Sequence, residues 1–223
     1  MERDFRKLLT AAAHEMGISL TDRHLALFKT YRETLLLWND KMNLVSLQSD
    51  LDLPVRHLID SLTLLPFIPQ GTATVLDIGS GAGFPAIPVK IVRTDLDMTL
   101  LEASRKKSSF LKEIIRKLGL KDIAVANCRL DELKKKDPLP SFDLITSRAT
   151  LKLSELLSQG LPLLRTGGIL AAMKGPGLEE ELTALESSKT VPFHIVRSFS
   201  FELPLTGDKR NILLVDNPRR TGP

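Results

Sequence analysis

Residues 75–85, VLDIGSGAGFP, set glycines at 79, 81 and 83 behind one short apolar run and ahead of a second at 86–92. The spacing predicts a strand, a tight turn and a helix start. Glycines at such a turn permit positive φ and let backbone N–H groups approach a ligand, while the helix N-terminus adds partial positive charge. A bound ligand is therefore expected. A dinucleotide fingerprint requires glycine at position 84, where Phe84 stands. A P-loop requires Gly-Lys-Ser/Thr, and Gly83 is followed by Phe84 and Pro85. NAD is disfavoured, and ATP held by a P-loop is excluded.

What remains, Asp77 at the strand end followed by Gly79, Gly81 and Gly83, resembles the first motif of class I S-adenosylmethionine (SAM) methyltransferases. In a doubly wound sheet, ligands bind beyond the carboxyl ends of the strands, so those ends carry the chemistry. Glu102 stands about twenty residues past the turn, where an acid can accept hydrogen bonds from both ribose hydroxyls. Its alternative is a helix N-terminal acid. After the third expected strand, Leu130 can pack on an adenine ring and Asp131 can accept from its amino group, with a helix cap at Asp131 as the alternative. Cys128 reads as a small core-edge residue.

Arg148 ends the fourth expected strand, where a [DN]-P-P-[FY] motif would serve exocyclic amine methylation, and that motif is absent. No cysteine lies near the ends of the fourth or fifth strands, as pyrimidine C5 chemistry would require. Acceptors that already hold a lone pair, such as guanine N7 or an oxygen, remain. Arg148 could bind the methionine carboxylate, a phosphate or guanine O6; a guanidinium aimed at N7 would oppose formation of a cationic base, so a carboxylate or phosphate contact is expected. Lys174, Lys209 and Arg210 are candidate phosphate contacts. The clusters at 105–107, 134–136 and 219–220 read as solvated faces. His57, Asp60 and Ser61 share one helix face by spacing, which suits polar surface or domain-junction residues and not a converging hydrolase triad.

These residues need a scaffold. Apolar runs at 74–78, 98–101, 123–126, 142–147, 168–173, 194–201 and 211–215 alternate with helical patterns such as 86–92 and 106–118. An α/β, Rossmann-like seven-stranded sheet with helices on both faces is expected, its last strand antiparallel. Ahead of it, Phe28, Tyr31, Leu35 and Trp38 recur at helical spacing after Thr21 and Asp22, Asn39 to Asn43 break the pattern, and a helix is expected over 54–65. Residues 1–70 thus form an N-terminal helical extension or cap, and 71–223 the SAM-binding domain.

The chain has 223 residues, 43% of them hydrophobic, and a net charge of +4. Its basic lean is compatible with a nucleic-acid partner. One cysteine excludes an internal disulfide and a cysteine-built zinc site. No signal peptide or membrane-spanning stretch is read, so a cytoplasmic protein without metal or membrane partner is expected.

Three stretches carry a more specific likeness: LLLWNDKMNLVS at 35–46 with RHLIDSL at 56–62, VLDIGSGAGFPAIPVKI at 75–91, and FDLITSRA at 142–149. Together they resemble the bacterial small-subunit (16S) ribosomal RNA guanine-N7 methyltransferases, once called glucose-inhibited division protein B. The resemblance implies methyl transfer from SAM to N7 of a guanine in small-subunit ribosomal RNA; the partner is expected to be that RNA or the small subunit, and the protein a monomer. It places cofactor contacts at Gly79, Phe84, Leu130, Asp131 and Arg148. Leu130-Asp131 stands where the family usually has a small or β-branched residue followed by Glu, and Lys209-Arg210 where Glu-Arg is usual. An in-line displacement at N7 needs no general base, so Arg148 is assigned to positioning. Two other readings stay open: a small-molecule methyltransferase with a helical lid, and a non-catalytic RNA-binding scaffold.

Overall fold

Strands buried on both faces pair in parallel under two layers of helices. The computed structural model describes residues 2–71, 73–148, 151–188 and 194–216. Its strands are β1 (Thr74–Ile78), β2 (Asp97–Leu101), β3 (Ile123–Ala126), β4 (Phe142–Arg148), β5 (Leu164–Lys174), β6 (His194–Glu202) and β7 (Lys209–Asp216). They form one sheet of order β3-β2-β1-β4-β5-β7-β6, with β7 antiparallel to both its neighbours. The chain reverses strand order between β1 and β4, the place where such sheets open a crevice. Register aligns the strand ends there: Ile78 pairs with Leu101, Arg148 with Met173, and Lys174 with Asn211. The antiparallel β7 thereby brings Arg210 to the same edge.

The helices are α1 (Glu2–Glu15), α2 (Asp22–Met42), α3 (Asp60–Leu62), α4 (Ala86–Val92), α5 (Arg105–Leu118), α6 (Leu130–Leu133), α7 (Leu153–Gly160) and α8 (Leu178–Ser188). Phe28, Tyr31 and Leu35 of α2 share a buried core with Ile87 of α4, Phe110 of α5 and Met98 of the sheet. Leu156 of α7 and Leu178 of α8 pack with Leu76 and Ile145 on the opposite face. The N-terminal segment is thus continuous with the core that covers one side of the sheet.

Helix α2 starts where expected: Thr21 caps it, its hydroxyl accepting from His24 N–H at 3.2 Å, and the His24 ring nitrogen accepts in return from Thr21 N–H. It ends later, at left-handed Asn43, because Asn39 remains helical and its amide oxygen accepts from Val45 N–H. The expected helix at 54–65 is a π-helix, Asp52–Ile59, running into α3. Asp52 closes its start by accepting from Gln48 N–H and from Ser49 N–H and hydroxyl. Apolar residues surround this segment, so a 3.6-residue stripe could not disclose its wider turn. Of the two alternatives for His57, Asp60 and Ser61, polar surface or domain junction, the surface one falls away for Asp60 and Ser61, which are buried at the junction with the sheet. The Ser61 hydroxyl donates to the His57 carbonyl, which leaves no nucleophile–base pair.

Candidate active site

The turn after β1 is built from three left-handed glycines, Gly79 (φ 73°), Gly81 (57°) and Gly83 (94°). Their tolerances differ. A Cβ at Gly83 would lie 2.5 Å from Ile87 Cγ1 and 3.1 Å from Tyr31 Oη, whereas one at Gly81 meets nothing nearer than Gly79 O at 3.8 Å. Gly83 therefore packs against protein, and Gly81 faces open space. Glu102, at the end of β2, accepts from Gly81 N–H at 2.9 Å and from Ser104 N–H at 2.8 Å. The Ser108 hydroxyl and the Asn127 amide both donate to its carbonyl, which fixes the acid against the turn.

Asp77 is wholly buried within β1; the Thr146 hydroxyl donates to Oδ1 at 2.9 Å, while Oδ2 has no hydrogen-bond partner. Burial pushes its carboxyl up to about 7. Leu130 is buried at the start of α6, and Asp131 is exposed in the first turn. Arg129, not Asp131, occupies the cap position of that helix, so the capping alternative for Asp131 falls away. Cys128 is half-buried and its thiol is pushed up by burial.

Phe84 is the packing centre behind the turn. Its ring is stacked on His57 at 4.9 Å, lies 5.4 Å from Tyr31, and carries the Arg148 guanidinium at 4.9 Å. Tyr31 reaches in from α2 to donate to the Ala82 carbonyl at 2.5 Å. Arg148 donates from Nη1 to Asp60 Oδ2 and to the Arg56 carbonyl, each at 3.2 Å, and from Nη2 to His57 Nδ1 at 3.1 Å. The carboxylate beside Arg148 in this structure is therefore Asp60.

Arg148 begins a chain of alternating charge that ties the N-terminal segment to β7. Asp60 Oδ1 lies 3.4 Å from Arg210 Nε, Arg210 approaches Asp208 at 3.8 Å, and Asp208 accepts from Arg56 Nε at 2.6 Å. Arg56 closes the chain on Asp52 at 2.6 Å. A cavity of about 650 Å³ opens beside it, with Met173, Phe201 and Ile212 on its apolar wall. Lys174 lines this cavity but is corrected as a phosphate contact: it is 8% exposed, and its ammonium donates to Glu181 and the Leu151 carbonyl. A buried lysine needs such partners. Lys209 is exposed and Arg210 partly so. Lys106 and Lys135 are exposed as expected, and Arg219 and Arg220 lie outside the described residues.

His57 is neutral here. Arg148 donates to its Nδ1, so the Nε2–H faces the Ser46 carbonyl at 3.4 Å. Burial, then the nearby Arg148 charge, lowers it to about 4. A depressed value contributes stability that is full above the unfolded value near 6.5 and lost as pH falls toward 4. Chemical denaturation between pH 7.5 and 4 should show up to about 3 kcal/mol of loss from this group. His57→Gln should flatten that portion; an unchanged pH slope would remove the assignment.

Residue type alone does not single out Tyr31, Arg56 or Asp208 for the site. The R-H-x-x-D-S-L segment carried the signal for Arg56, His57 and Asp60; for Asp208 there was none.

The residues after β1, β2 and β3 suit SAM. Gly81 leaves a cradle that a side chain would fill, Asp77 Oδ2 is an unpartnered acceptor beneath the turn, and Glu102, Leu130 and Asp131 follow the next two strands. Among the described residues no group of histidine, cysteine and carboxylates could hold a metal, and no helix is long and apolar enough to cross a membrane.

Comparison with solved structures shows a class I methyltransferase fold. The ribosomal protein L11 methylase of Lactobacillus delbrueckii subsp. bulgaricus matches at TM-score 0.55 and 19% identity, covering 72% of this chain and 78% of that one. The B. subtilis M1A22 tRNA methyltransferase TrmK matches at 0.54 and 18%, covering 70% and 64%. Sequence relatives are nearer. The ribosomal RNA small subunit methyltransferase G of Syntrophus aciditrophicus (strain SB) is 42% identical over 93% of this chain and 88% of its own length. That of Acetivibrio thermocellus is 36% identical over 99% and 91%. A family model described as rRNA small subunit methyltransferase G matches residues 24–209. With its glycine turn, its strand-end acid and this match along most of its length, the chain belongs to the rRNA small subunit methyltransferase G family.

Proposed function

We propose that this chain transfers a methyl group from SAM to N7 of a guanine in small-subunit (16S) ribosomal RNA, acting in the cytoplasm on the RNA or on the assembled subunit. The observation that carries the reading is the site's economy: an open glycine cradle beside a charged cavity, with every acid and base around Arg148 engaged in holding another residue. When bound, SAM supplies an electrophilic methyl group. Guanine N7 presents a lone pair and no proton, so the protein need not remove one, in keeping with a His57 whose Nδ1 already accepts from Arg148. Holding two reactants aligned can contribute roughly 7 to 11 kcal/mol in favourable cases. The turn and Glu102 would hold one reactant, and the cavity bounded by Asp60, Arg148 and Arg210 the other.

The test is incubation with methyl-labelled SAM and free ribosomal RNA, small subunits or whole ribosomes, followed by mapping of the label and a test for N7 chemistry. Label at N7 of one guanine is expected. Label on protein or on a small molecule without RNA would overturn the reading, and failure to bind SAM would favour a non-catalytic RNA-binding role.

A further inference from the structure

Two arginines on the wall of the 650 Å³ cavity keep open donors. Arg56, in the π-helix, gives Nε to Asp208 Oδ2 at 2.6 Å, and Nη1 to Asp52 Oδ1 at 2.6 Å and to the Ser49 hydroxyl at 3.3 Å, while its Nη2 makes no hydrogen bond. Arg210, in β7, gives Nη1 to the Lys209 carbonyl at 3.0 Å, and its Nη2 stands 3.8 Å from that same Asp208 oxygen, beyond hydrogen-bond reach. Among the described residues, the buried side-chain nitrogens and oxygens without a hydrogen bond are Asp60 Oδ1 and Asp77 Oδ2. Neither Nη2 is one of them, so both reach solvent, on side chains 37% and 23% exposed.

Asp208 sets the two guanidiniums side by side, and the β6–β7 turn fixes it from behind, its carbonyl accepting from Leu203 N–H at 2.9 Å. The acids that line the cavity are already engaged. Asp52 accepts from Arg56, Ser49 and Gln48, and Asp60 lies between Arg148 and Arg210. The charged groups of this wall thus offer open N–H donors and no open carboxylate. A base edge mixes donors with acceptors, whereas a phosphodiester presents acceptors only, two non-bridging oxygens on one phosphorus. Guanidiniums match that geometry, and ones already held by carboxylates lose little freedom on binding. Because three aspartates balance the three arginines of the chain, the attraction lies in these directed N–H groups and not in a long-range field.

We propose that Arg56 and Arg210 form one clamp on a phosphodiester flanking the target guanosine, each donating from Nη2, and that Asp208 positions the pair. The assignment rests on the ribosomal RNA reading above and names the part of the substrate that the cavity grips. Strands β4 and β5 separate β7 from β1, a span of about 14 Å at roughly 4.8 Å per strand. A phosphate held at β7 therefore leaves room for its base to lie between the clamp and the glycine turn. Phosphate contacts fix register and orientation without reading sequence, and a nucleotide drawn out of its stack needs that hold.

The test uses small-subunit RNA assembled by ligation, with a neutral methylphosphonate at the phosphates flanking the mapped guanosine, one at a time. The nucleotide on the 5′ side of the linkage is 2′-O-methylated in this RNA and in its control, so that the linkage survives. At one phosphate the wild type should lose roughly 10- to 100-fold in kcat/KM, the size of a hydrogen bond to a charged group. Arg56→Gln and Arg210→Gln should each show a loss of that order on the control RNA, and the methylphosphonate should then cost them less than about threefold more. Their affinity for SAM by calorimetry should stay within about threefold. Should Arg56→Gln fail to fold, Arg210→Gln decides alone, since Asp60 keeps Arg148 and Asp208 keeps Arg56. A folded variant as sensitive to the methylphosphonate as the wild type would show that the arginines only brace the fold, and would overturn the clamp. Wild-type rates unaffected at every flanking phosphate would overturn it too, with the ribosomal RNA reading intact. A loss of SAM affinity beyond tenfold in Arg210→Gln would assign the donors to the methionine carboxylate instead. A wild type that binds SAM and labels no RNA sinks the ribosomal RNA reading, and the clamp with it.

Discussion

Gly81→Asp is expected to lower the affinity for SAM more than about 100-fold while the chain stays folded, a loss of about 3 kcal/mol or more in binding. Gly81 has φ 57°, and a Cβ there points into space, with Gly79 O at 3.8 Å as its nearest neighbour. The cost to folding is then mainly that of a left-handed non-glycine residue, roughly 1 to 2 kcal/mol. For a chain this long that lowers Tm by a few degrees, at roughly 2 to 4 °C per kcal/mol. Binding suffers more, because the new carboxylate enters the cradle beside Glu102, whose Oε2 already accepts from Gly81 N–H. Like charges then crowd the site meant for the ligand. Gly83→Ala makes the informative contrast: its Cβ would collide with Ile87 at 2.5 Å at φ 94°, so it should lose stability before it loses affinity. Calorimetric titration and thermal melts separate the two. Retained SAM binding in Gly81→Asp would show that the ligand does not use this turn.

Local features of the chain were legible in its sequence. The 74–78 and 123–126 runs and the 86–92 helix fall where β1, β3 and α4 lie, because each is a short apolar stretch between clear breakers. The sequence pattern predicts β5 only from 168, four residues past its actual start at Leu164. Gly167 and Gly168 look like punctuation, yet Gly168 sits within the strand, where a Cβ would lie 3.0 Å from the Arg165 and Asp143 carbonyls. There the missing side chain serves close backbone approach beside a shift of register in β4. The glycine turn and Glu102 could be read because motif and spacing are local. The long-range pairings could not: Arg56 and Asp208 are 152 positions apart, and neither periodicity nor residue type joins them. Lys174 shows the same limit, since nothing local discloses that its ammonium is engaged by Glu181 seven residues on.

Those long-range pairings change what Arg148→Ala should do. A lone strand-end arginine could be removed with the fold intact, but this one is only 16% exposed along its side chain and is bonded to Asp60, His57 and the Arg56 carbonyl. Alanine leaves Asp60 buried with only Arg210 nearby and takes the donor from His57 Nδ1. Breaking a buried ion pair by removing one partner typically costs about 3 to 5 kcal/mol, so chemical denaturation should register a loss of that order. Turnover on RNA should fall more than about 100-fold, because Phe84 and the glycine turn lose the cation packed over the ring and Asp60 loses its anchor. SAM affinity should fall less than about tenfold, since the hydrogen bonds of Arg148 described above are to protein groups. The double variant Arg148→Ala with Asp60→Ala separates the effects: removing the stranded carboxylate should recover part of the stability, as coupled neighbours do, and none of the turnover. A large loss of SAM affinity in Arg148→Ala would instead place the methionine carboxylate on this arginine, and full activity would remove it from the site.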